Sequence, residues 1–318
     1  MKKQQSYKVS AVVPVYNGES FIADTIHSLL HQKRKFDEII VVDDGSTDNT
    51  VKIVKRFKNV KLIQSHHVER IAVRNIGWKA AKGNIIAFID SDLELVPEWL
   101  EEVLKGFEQG YAAVVDRRAV YKPQTYIAKM NDHFFDLRFT DKYKPFTAWV
   151  VQRDVLEKLG GLDEGAIGFE DINLGDALYK DGYDIYFAKH ALAYHKGEPT
   201  NFRTEMRRHF WFGSHALPYW KKRKPLKKPL RVALFTFLTV LFFINSFQAL
   251  GFTLILYLYV FLKDLFYWKM HLKYLFVHPF IAVASEFAYS WGFIYSLIKG
   301  PITHARSTDA QVAKQITQ

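Results

Sequence analysis

Glu38-Ile39-Ile40-Val41-Val42-Asp43-Asp44-Gly45-Ser46 is an apolar run closed by two acids and a turn, and Asn84-Ile85-Ile86-Ala87-Phe88-Ile89-Asp90-Ser91-Asp92 repeats the arrangement. Short runs that are apolar throughout and rich in β-branched residues read as strands buried on both faces of a parallel sheet. In an open α/β sheet the carboxyl ends of neighbouring strands line one crevice where ligands bind. Carboxylates at that edge serve no packing purpose, so they are expected to face a cation, a sugar hydroxyl or a base edge.

A third run, 9–15, precedes these two; it contains Pro14 and is followed by Tyr16-Asn17-Gly18, a turn signal. A helix is predicted over 20–31, with Phe21, Ile22, Ile26, Leu29 and Leu30 on one face. Ser46-Thr47-Asp48-Asn49-Thr50 supplies N-cap residues for a second helix carrying Val51, Val54 and Phe57. A short strand at 61–63 and a helix over 70–82, stopped by Gly83, continue the alternation. Strict alternation of strand and helix predicts an α/β fold with a parallel sheet and right-handed crossovers.

Several residues carry two readings. Arg70 and Arg74 stand four apart on the third helix and share a face, either to reach an anion or as solvated charge. Asp43 and Asp44 precede Gly45 as turn residues often do, and Asp90 to Asp92 fit either a ligand site or the cap of a helix beginning near Pro97. Glu170 and Asp171 are consecutive on a helical segment and point about 100° apart, so one at most faces a given ligand; acids there also complement the helix dipole. His195 closes the strand-like Ala191-Leu192-Ala193-Tyr194, where a neutral imidazole is a competent metal ligand.

Taken in order, Val12-Val13-Pro14-Val15-Tyr16-Asn17, Val41-Val42-Asp43-Asp44-Gly45-Ser46-Thr47-Asp48, Arg74-Asn75-x-Gly77, Asp90-Ser91-Asp92, Gly160-Gly161-Leu162-Asp163-Glu164, Glu170-Asp171 and His195 resemble the motifs of glycosyltransferase family 2, inverting nucleotide-sugar enzymes with the GT-A fold. The resemblance implies a GT-A (Rossmann-like) nucleotide-sugar-binding domain with a mixed, mostly parallel sheet. It further implies that Pro14, Val15 and Tyr16 flank the nucleotide base and that Asp44 accepts a hydrogen bond from it. Arg74 would reach phosphate, and Asp90, next to Ser91, would contact the ribose or a metal-bound water. Trp149 would lie near the donor or acceptor sugar. Asp92 would ligate Mn²⁺ or Mg²⁺, with His195 approaching the metal or the diphosphate, and Asp171, beside Glu170, would be the catalytic base. A hard divalent cation bridging both phosphates stabilises a departing diphosphate.

The implied reaction is inverting, metal-dependent transfer of a sugar from a nucleoside-diphosphate sugar, a UDP-sugar being the expected donor, to a hydroxyl of a lipid-linked or membrane-proximal glycan. A polyprenyl-phosphate sugar transferase has a similar layout but needs no base, and the Glu170-Asp171 pattern argues against it. A processive polysaccharide synthase would carry Gln-x-x-Arg-Trp, whereas Arg207-Arg208-His209-Phe210-Trp211 has only the tryptophan in place. An inactive glycan-binding scaffold would not need Asp44, Asp90, Asp92 and Asp171. The aromatic stretch Tyr121, Tyr126, Phe134, Phe135, Phe139 and Tyr143 is expected to shape the acceptor pocket or to build core.

Charge divides unevenly: of 44 Lys+Arg and 33 Asp+Glu, 16 and 4 lie after residue 199. Seven bases and no acid occupy 221–231, directly ahead of the apolar run 232–262. Beside such a run, anionic lipid headgroups explain the basic patch better than nucleic acid does, and no nucleic-acid partner is expected. As one helix that run would measure about 46 Å against a hydrocarbon core of roughly 30 Å, so it is either a tilted span or a hairpin of two short helices. A second run, 274–298, has spanning length but contains His278, Pro279, Glu286 and Gly292. The segment 263–273 between them is basic and aromatic, as an interfacial stretch would be; if it is cytoplasmic, the first run re-enters. The expected organisation is a catalytic domain over 1–215, a basic juxtamembrane linker over 216–231, membrane-embedded or re-entrant helices over 232–300 and a polar tail over 301–318. Polar residues 1–8 give no secretory signal, and the absence of cysteine fits a reducing compartment, so the expected location is the cell membrane with catalysis on the cytoplasmic side.

Overall fold

The computed structural model describes residues 7–68, 70–138, 149–165, 169–217, 227–244, 246–268 and 272–300. Phe139 and Tyr143 of the aromatic stretch, most of the basic linker (218–226), Asn245 and the tail 301–318 lie outside the described residues. The chain divides into two compact units, one drawn from Met1–Tyr121 and Arg138–Gly197, the other from Lys122–Leu137 and Glu198–Thr303. Residues 122–137 and those from 198 onward cluster with the carboxyl-terminal helices.

In the first unit an eight-stranded sheet runs in the order β3-β2-β1-β4-β7-β6-β8-β5. Its strands are β1 (Val9–Val15), β2 (Glu38–Asp43), β3 (Lys61–Gln64), β4 (Ile85–Phe88), β5 (Leu93–Leu95), β6 (Ala113–Val120), β7 (Val150–Gln152) and β8 (Ile185–His195). The first four are mutually parallel, β7 and β5 are antiparallel to their neighbours, and β6 pairs parallel with β8. Both faces are covered. Val9, Ala11, Val13 and Val15 join Ile39 and Val41 in one core with α1 (Ile22–Leu30). Val12, Ile40 and Val42 join the opposite core with Ile71, Val73 and Trp78. This two-sided burial is why the strands read as continuous apolar runs rather than alternating ones.

Local expectations hold with shifted ends. The second helix, α2 (Thr50–Val54), stops before Phe57, which still packs on the core. The third, α3 (Arg70–Ala80), carries both arginines. The cap reading of Asp90 to Asp92 is replaced: these residues lead into β5, and the next helix, α4 (Trp99–Glu108), begins beyond Pro97 after Glu98 without a side-chain cap. Trp149 immediately precedes β7. Helices α6 (Arg153–Lys158) and α7 (Glu170–Lys180) follow, α5 (Tyr126–Arg138) having come before β7.

Asn75 explains why an arginine-asparagine pair on α3 is coupled to a distant glycine turn. Its amide nitrogen donates to the Leu162 carbonyl (2.9 Å) and to Glu164 Oε1 (3.0 Å), while its oxygen accepts from Leu162 N (3.0 Å) and Trp78 Nε1 (2.8 Å). Gly161 takes φ +89°, and a Cβ there would press within 3.0 Å of Asn75 Oδ1 and the Trp78 ring. The turn is thus clamped to α3, and α7 follows from it.

The second unit holds α8 (Phe202–Ser214), α9 (Lys227–Ile244), α10 (Ser246–Lys263), a π-turn at Asp264–Trp268, α11 (Leu272–Leu275) and α12 (His278–Lys299). The first apolar run is therefore two helices. Two segments, Gln248–Phe266 and His278–Lys299, are long and apolar enough to cross a membrane by length and composition. On α8, buried Glu205 accepts from Asn131 Nδ2 (3.1 Å), Arg208 (2.8 and 3.0 Å) and His209 Nε2 (3.1 Å). Burial pushes its carboxyl up, but the His209 and Asn131 hydrogen bonds and the Arg208 charge prevail and hold it at about 2.

Asn75→Ala strands a buried Leu162 peptide group and the Trp78 indole. Equilibrium urea unfolding should show a loss of about 3 kcal/mol; a change under about 0.5 kcal/mol would mean the clamp is not holding the turn.

Candidate active site

Parallel pairing of β1, β2 and β4 puts Val15, Asp43 and Phe88 at one edge of the sheet, and the acidic clusters stand just beyond it. Asp43 is structural: its Oδ2 accepts from Gly45 N (3.2 Å) and Ser46 N (3.1 Å), shaping the turn. Asp44 is buried. Its backbone N–H donates to the Val15 carbonyl at 2.8 Å, its Oδ1 accepts from Val68 N at 2.7 Å, and His67 Nδ1 lies 3.3 Å from its Oδ2. The Tyr16 and His67 rings lie 4.5 Å apart, tilted by 39°. Asp44, Tyr16, His67 and the Pro14-Val15 backbone thus form one cluster at the ends of β1 and β2.

The second cluster is built on Asp90. Arg74, 1% exposed, pairs through Nη2 with Asp90 Oδ1, and its Nη1 lies 3.4 Å from Glu170 Oε1. Arg70 Nε reaches the same Glu170 oxygen at 3.5 Å. From β6, Arg118 Nη1 stands 3.6 Å from Asp90 Oδ2 while its Nε donates to Asp116 Oδ1 at 2.9 Å; Asp116 Oδ2 accepts from Trp99 Nε1 at 3.0 Å. The Trp149 ring centre lies 5.6 Å from the Arg74 guanidinium carbon and 5.4 Å from that of Arg118. Burial alone would raise the Asp90 carboxyl, but the Arg74, Arg118 and Arg70 charges outweigh it and hold Asp90 well below the ordinary carboxylate range.

Asp92 meets His195 because of strand register. Leu93 of β5 pairs with His195 of β8, and the Asp92 carbonyl accepts from Lys196 N at 2.9 Å, so Asp92 Oδ2 and His195 Nδ1 come within 3.6 Å. Both side chains are about one-fifth exposed, at 23% and 22%. A Cβ on Gly197 would collide with the Asp92 carboxylate, so glycine keeps that space open. A carboxylate oxygen and an imidazole nitrogen, adjacent on two partly exposed side chains, fit a hard divalent cation. Among the described residues no three His, Cys, Asp or Glu side chains converge as a metal-binding group. Ser91 fixes the loop through its backbone, its carbonyl accepting from Thr25 Oγ1 at 2.7 Å.

On α7, Glu170 and Asp171 diverge as consecutive helical residues must. Glu170 is 5% exposed and turned into the arginines. Asp171 is partly accessible; its Oδ1 accepts from the neighbouring Ile172 N at 2.8 Å, and burial together with the Glu170 charge pushes its carboxyl up to about 6. A carboxylate tuned to that value is suited to taking a proton near neutral pH.

Arg118, Asp116 and His67 belong to these clusters and were missed in the sequence. Asp116-Arg117-Arg118 inside the apolar strand β6 was the legible signal: charges at core positions of a strand ask for partners. A register shift between β6 and β8 at Asp116/Arg117 accompanies them, as bulges often do beside sites.

A mixed, mostly parallel sheet bearing acidic clusters at these strand ends defines a GT-A domain. Residues 10–159 match the model described as glycosyl transferase family 2, and residues 85–295 match glycosyl transferase family group 2. The chain belongs to glycosyltransferase family 2. Chondroitin synthase of Escherichia coli is 34% identical over 134 residues, which are 40% of this chain and 19% of that protein. Glycosyltransferase AglE of Haloferax volcanii is 25% identical over 227 residues, 67% of this chain and 74% of the relative. The mannosyltransferase PcManGT of Pyrobaculum calidifontis, solved with GDP-Man and Mn²⁺, superposes with a TM-score of 0.63 at 18% identity, over 92% of this chain and 88% of that one. Several other curated relatives are matched over 14% to 48% of their own length, so this chain spans less than half of them.

Arg118→Met leaves Asp116 buried with the Trp99 indole alone and should cost about 3 kcal/mol in thermal or urea unfolding. Adding Asp116→Asn should recover most of that loss. An equal loss in single and double variants would show that bulk, not charge pairing, sets the effect.

Proposed function

We propose that the protein is an inverting, metal-dependent glycosyltransferase that moves a sugar from a nucleoside-diphosphate sugar, a UDP-sugar by our reading, to a hydroxyl of a lipid-linked or membrane-proximal glycan. The observation that carries this reading is the split between Glu170, locked against Arg70 and Arg74, and Asp171, accessible with its carboxyl pushed up to about 6. One acid positions cations for the donor; its neighbour remains to accept a proton.

In this reading the nucleotide base lies against Tyr16 and the Pro14-Val15 backbone, with Asp44 accepting from it. Arg74, anchored by Asp90 and Glu170, presents positive charge toward the diphosphate, and Asp90, held ionised, is available to the ribose beside Ser91. Asp92 and His195 would hold Mn²⁺ or Mg²⁺, which when bound offsets the charge that develops on the departing diphosphate. Trp149 offers an apolar face to the sugar. Asp171 removes the acceptor proton as that oxygen attacks the anomeric carbon, inverting its configuration. The domain assignment accompanying this reading has 1–215 as catalytic, 216–231 as a basic linker, 232–300 as membrane helices and 301–318 as a tail, with catalysis on the cytoplasmic face. The bases concentrated after residue 199 support anionic lipid as a partner.

Asp171→Asn should leave donor affinity and unfolding midpoint near wild type while transfer falls about 10²-fold or more. Transfer near wild type would instead favour an acceptor that is already anionic, such as a polyprenyl phosphate. Because a raised carboxyl is neutral below its pKa and a base works only when ionised, kcat/KM should fall about tenfold per pH unit below about 6; a flat profile from pH 5 to 7 would exclude Asp171. Asp92→Ala should erase the Mn²⁺ dependence of donor binding in titration calorimetry. Metal-stimulated affinity surviving that change would remove Asp92 from the metal position.

A further inference from the structure

We propose, resting on the membrane reading above, that the second unit anchors in one leaflet only: α9 and α10 form a hairpin that dips and returns, and α12, despite its spanning length, lies along the headgroup layer across the hairpin's open end.

The hairpin follows from packing. Phe235 and Leu238 of α9 share a cluster with Leu256 and Val260 of α10. Were the two helices collinear, Phe235 and Leu256 would stand about 32 Å apart at 1.5 Å per residue, so the helices fold back on each other. Arg231 near the start of α9, and Lys263 with Asp264 at the end of α10, then mark the same, open end. From Arg231 to Ile244 the apolar leg measures about 20 Å, short of a roughly 30 Å hydrocarbon core.

Two polar ties hold α12 across that open end. His278 Nδ1 lies 2.7 Å from Asp264 Oδ2, and Arg231 pairs with Glu286. Val283, between the ties, and Phe287, one residue past the second, pack on the α9–α10 cluster. His278 and Glu286 are about 12 Å apart along the helix, close to the 8–10 Å that separates two packed legs. A helix running parallel to the legs would carry one of those partners deep into the hydrocarbon; a helix crossing them meets both at one level. Its other half packs on α8, where a Cβ on Gly213 would strike the Tyr289 backbone and one on Gly292 the Phe210 backbone. That neighbour bears Arg203, Arg207, Arg208 and His209 and belongs outside hydrocarbon.

The faces of α12 are sorted accordingly. Ser285, Ser290, Gly292 and Ser296 are buried, whereas Phe280, Trp291, Tyr295 and Ile298 form one exposed stripe. An apolar stripe turned outward, with tryptophan and tyrosine in it, fits a lipid surface, and the excess of bases after residue 199 fits an anionic one.

The chain contains no cysteine, so single substitutions report cleanly. Full-length Leu250→Cys, Val277→Cys, Lys299→Cys and, as a side marker in the first unit, Lys52→Cys would be treated with a membrane-impermeant maleimide in sealed vesicles of each sidedness; positions 277 and 299 flank α12 at its two ends. One-leaflet anchoring expects positions 277 and 299 to label only from the side that labels position 52, and position 250 to label from neither. Labelling of 277 and 299 from opposite sides, or of 250 only from the side opposite to 52, overturns the proposal. Recovery of the chain in the soluble fraction after a high-salt wash overturns the membrane reading itself and is scored separately.

Discussion

The bridge from Arg74 through Asp90 to Arg118 is the interaction on which the rest of the site depends. It joins a helix, a strand end and a second strand, and it draws in Glu170, Asp116 and the Trp149 ring. Removing charges from water costs several kcal/mol per ion, and packing alone gives no reason to keep Arg74 at 1% exposure. The arrangement survives because the charges alternate: three guanidiniums face three carboxylates, so each buried ion has a partner. Such a network contributes little net stability compared with an apolar core. Its value is geometric, since every member fixes the orientation of the next.

That geometry is transmitted by elements whose sequence signals look unrelated. Asn75, next to Arg74, clamps the Gly160-Gly161 turn, and α7 emerges beyond that turn with Glu170 directed back to Arg74. A short antiparallel strand, β5, sets Asp92 against the end of β8 and so against His195. In each case a backbone pairing or a fully satisfied amide places a titratable group.

The parallel half of the sheet was legible because its strands are buried on both faces and so lack ambiguity: 9–15 and 38–43 emerged almost to the residue. The short strand β5 was not, since three residues between an acidic loop and Pro97 offer no periodicity, and its pairing with β8 bridges about a hundred positions of sequence. Site residues that precede turns at strand ends could be read, because a carboxylate there has no packing purpose. Arg118 and Asp116 could not be assigned to Asp90 or Trp99, because strand neighbours across a mixed sheet are set by topology, which local pattern does not encode. His67 was hidden for a different reason: it owes its place beside Tyr16 to a left-handed backbone conformation, φ 47°, that nothing in a histidine announces.

The adjacent acids of α7 show how one helical step sets two neighbouring carboxyls in different surroundings. Glu170 and Asp171 share a backbone and a low-dielectric surrounding, yet the ion pairs from Arg70 and Arg74 go to the first. Its retained charge then acts on the second: the Glu170 anion, added to burial, raises Asp171 to about 6. Two carboxyls side by side are thereby placed in different surroundings by a geometry that a 100° helical step imposes. The arginines thus act on Asp171 indirectly, by fixing the Glu170 carboxyl where its charge can press on its neighbour. Loss of Arg74 would take from Glu170 a buried cationic partner and the contact that ties the start of α7 to α3, so the two acids would no longer be held in distinct surroundings.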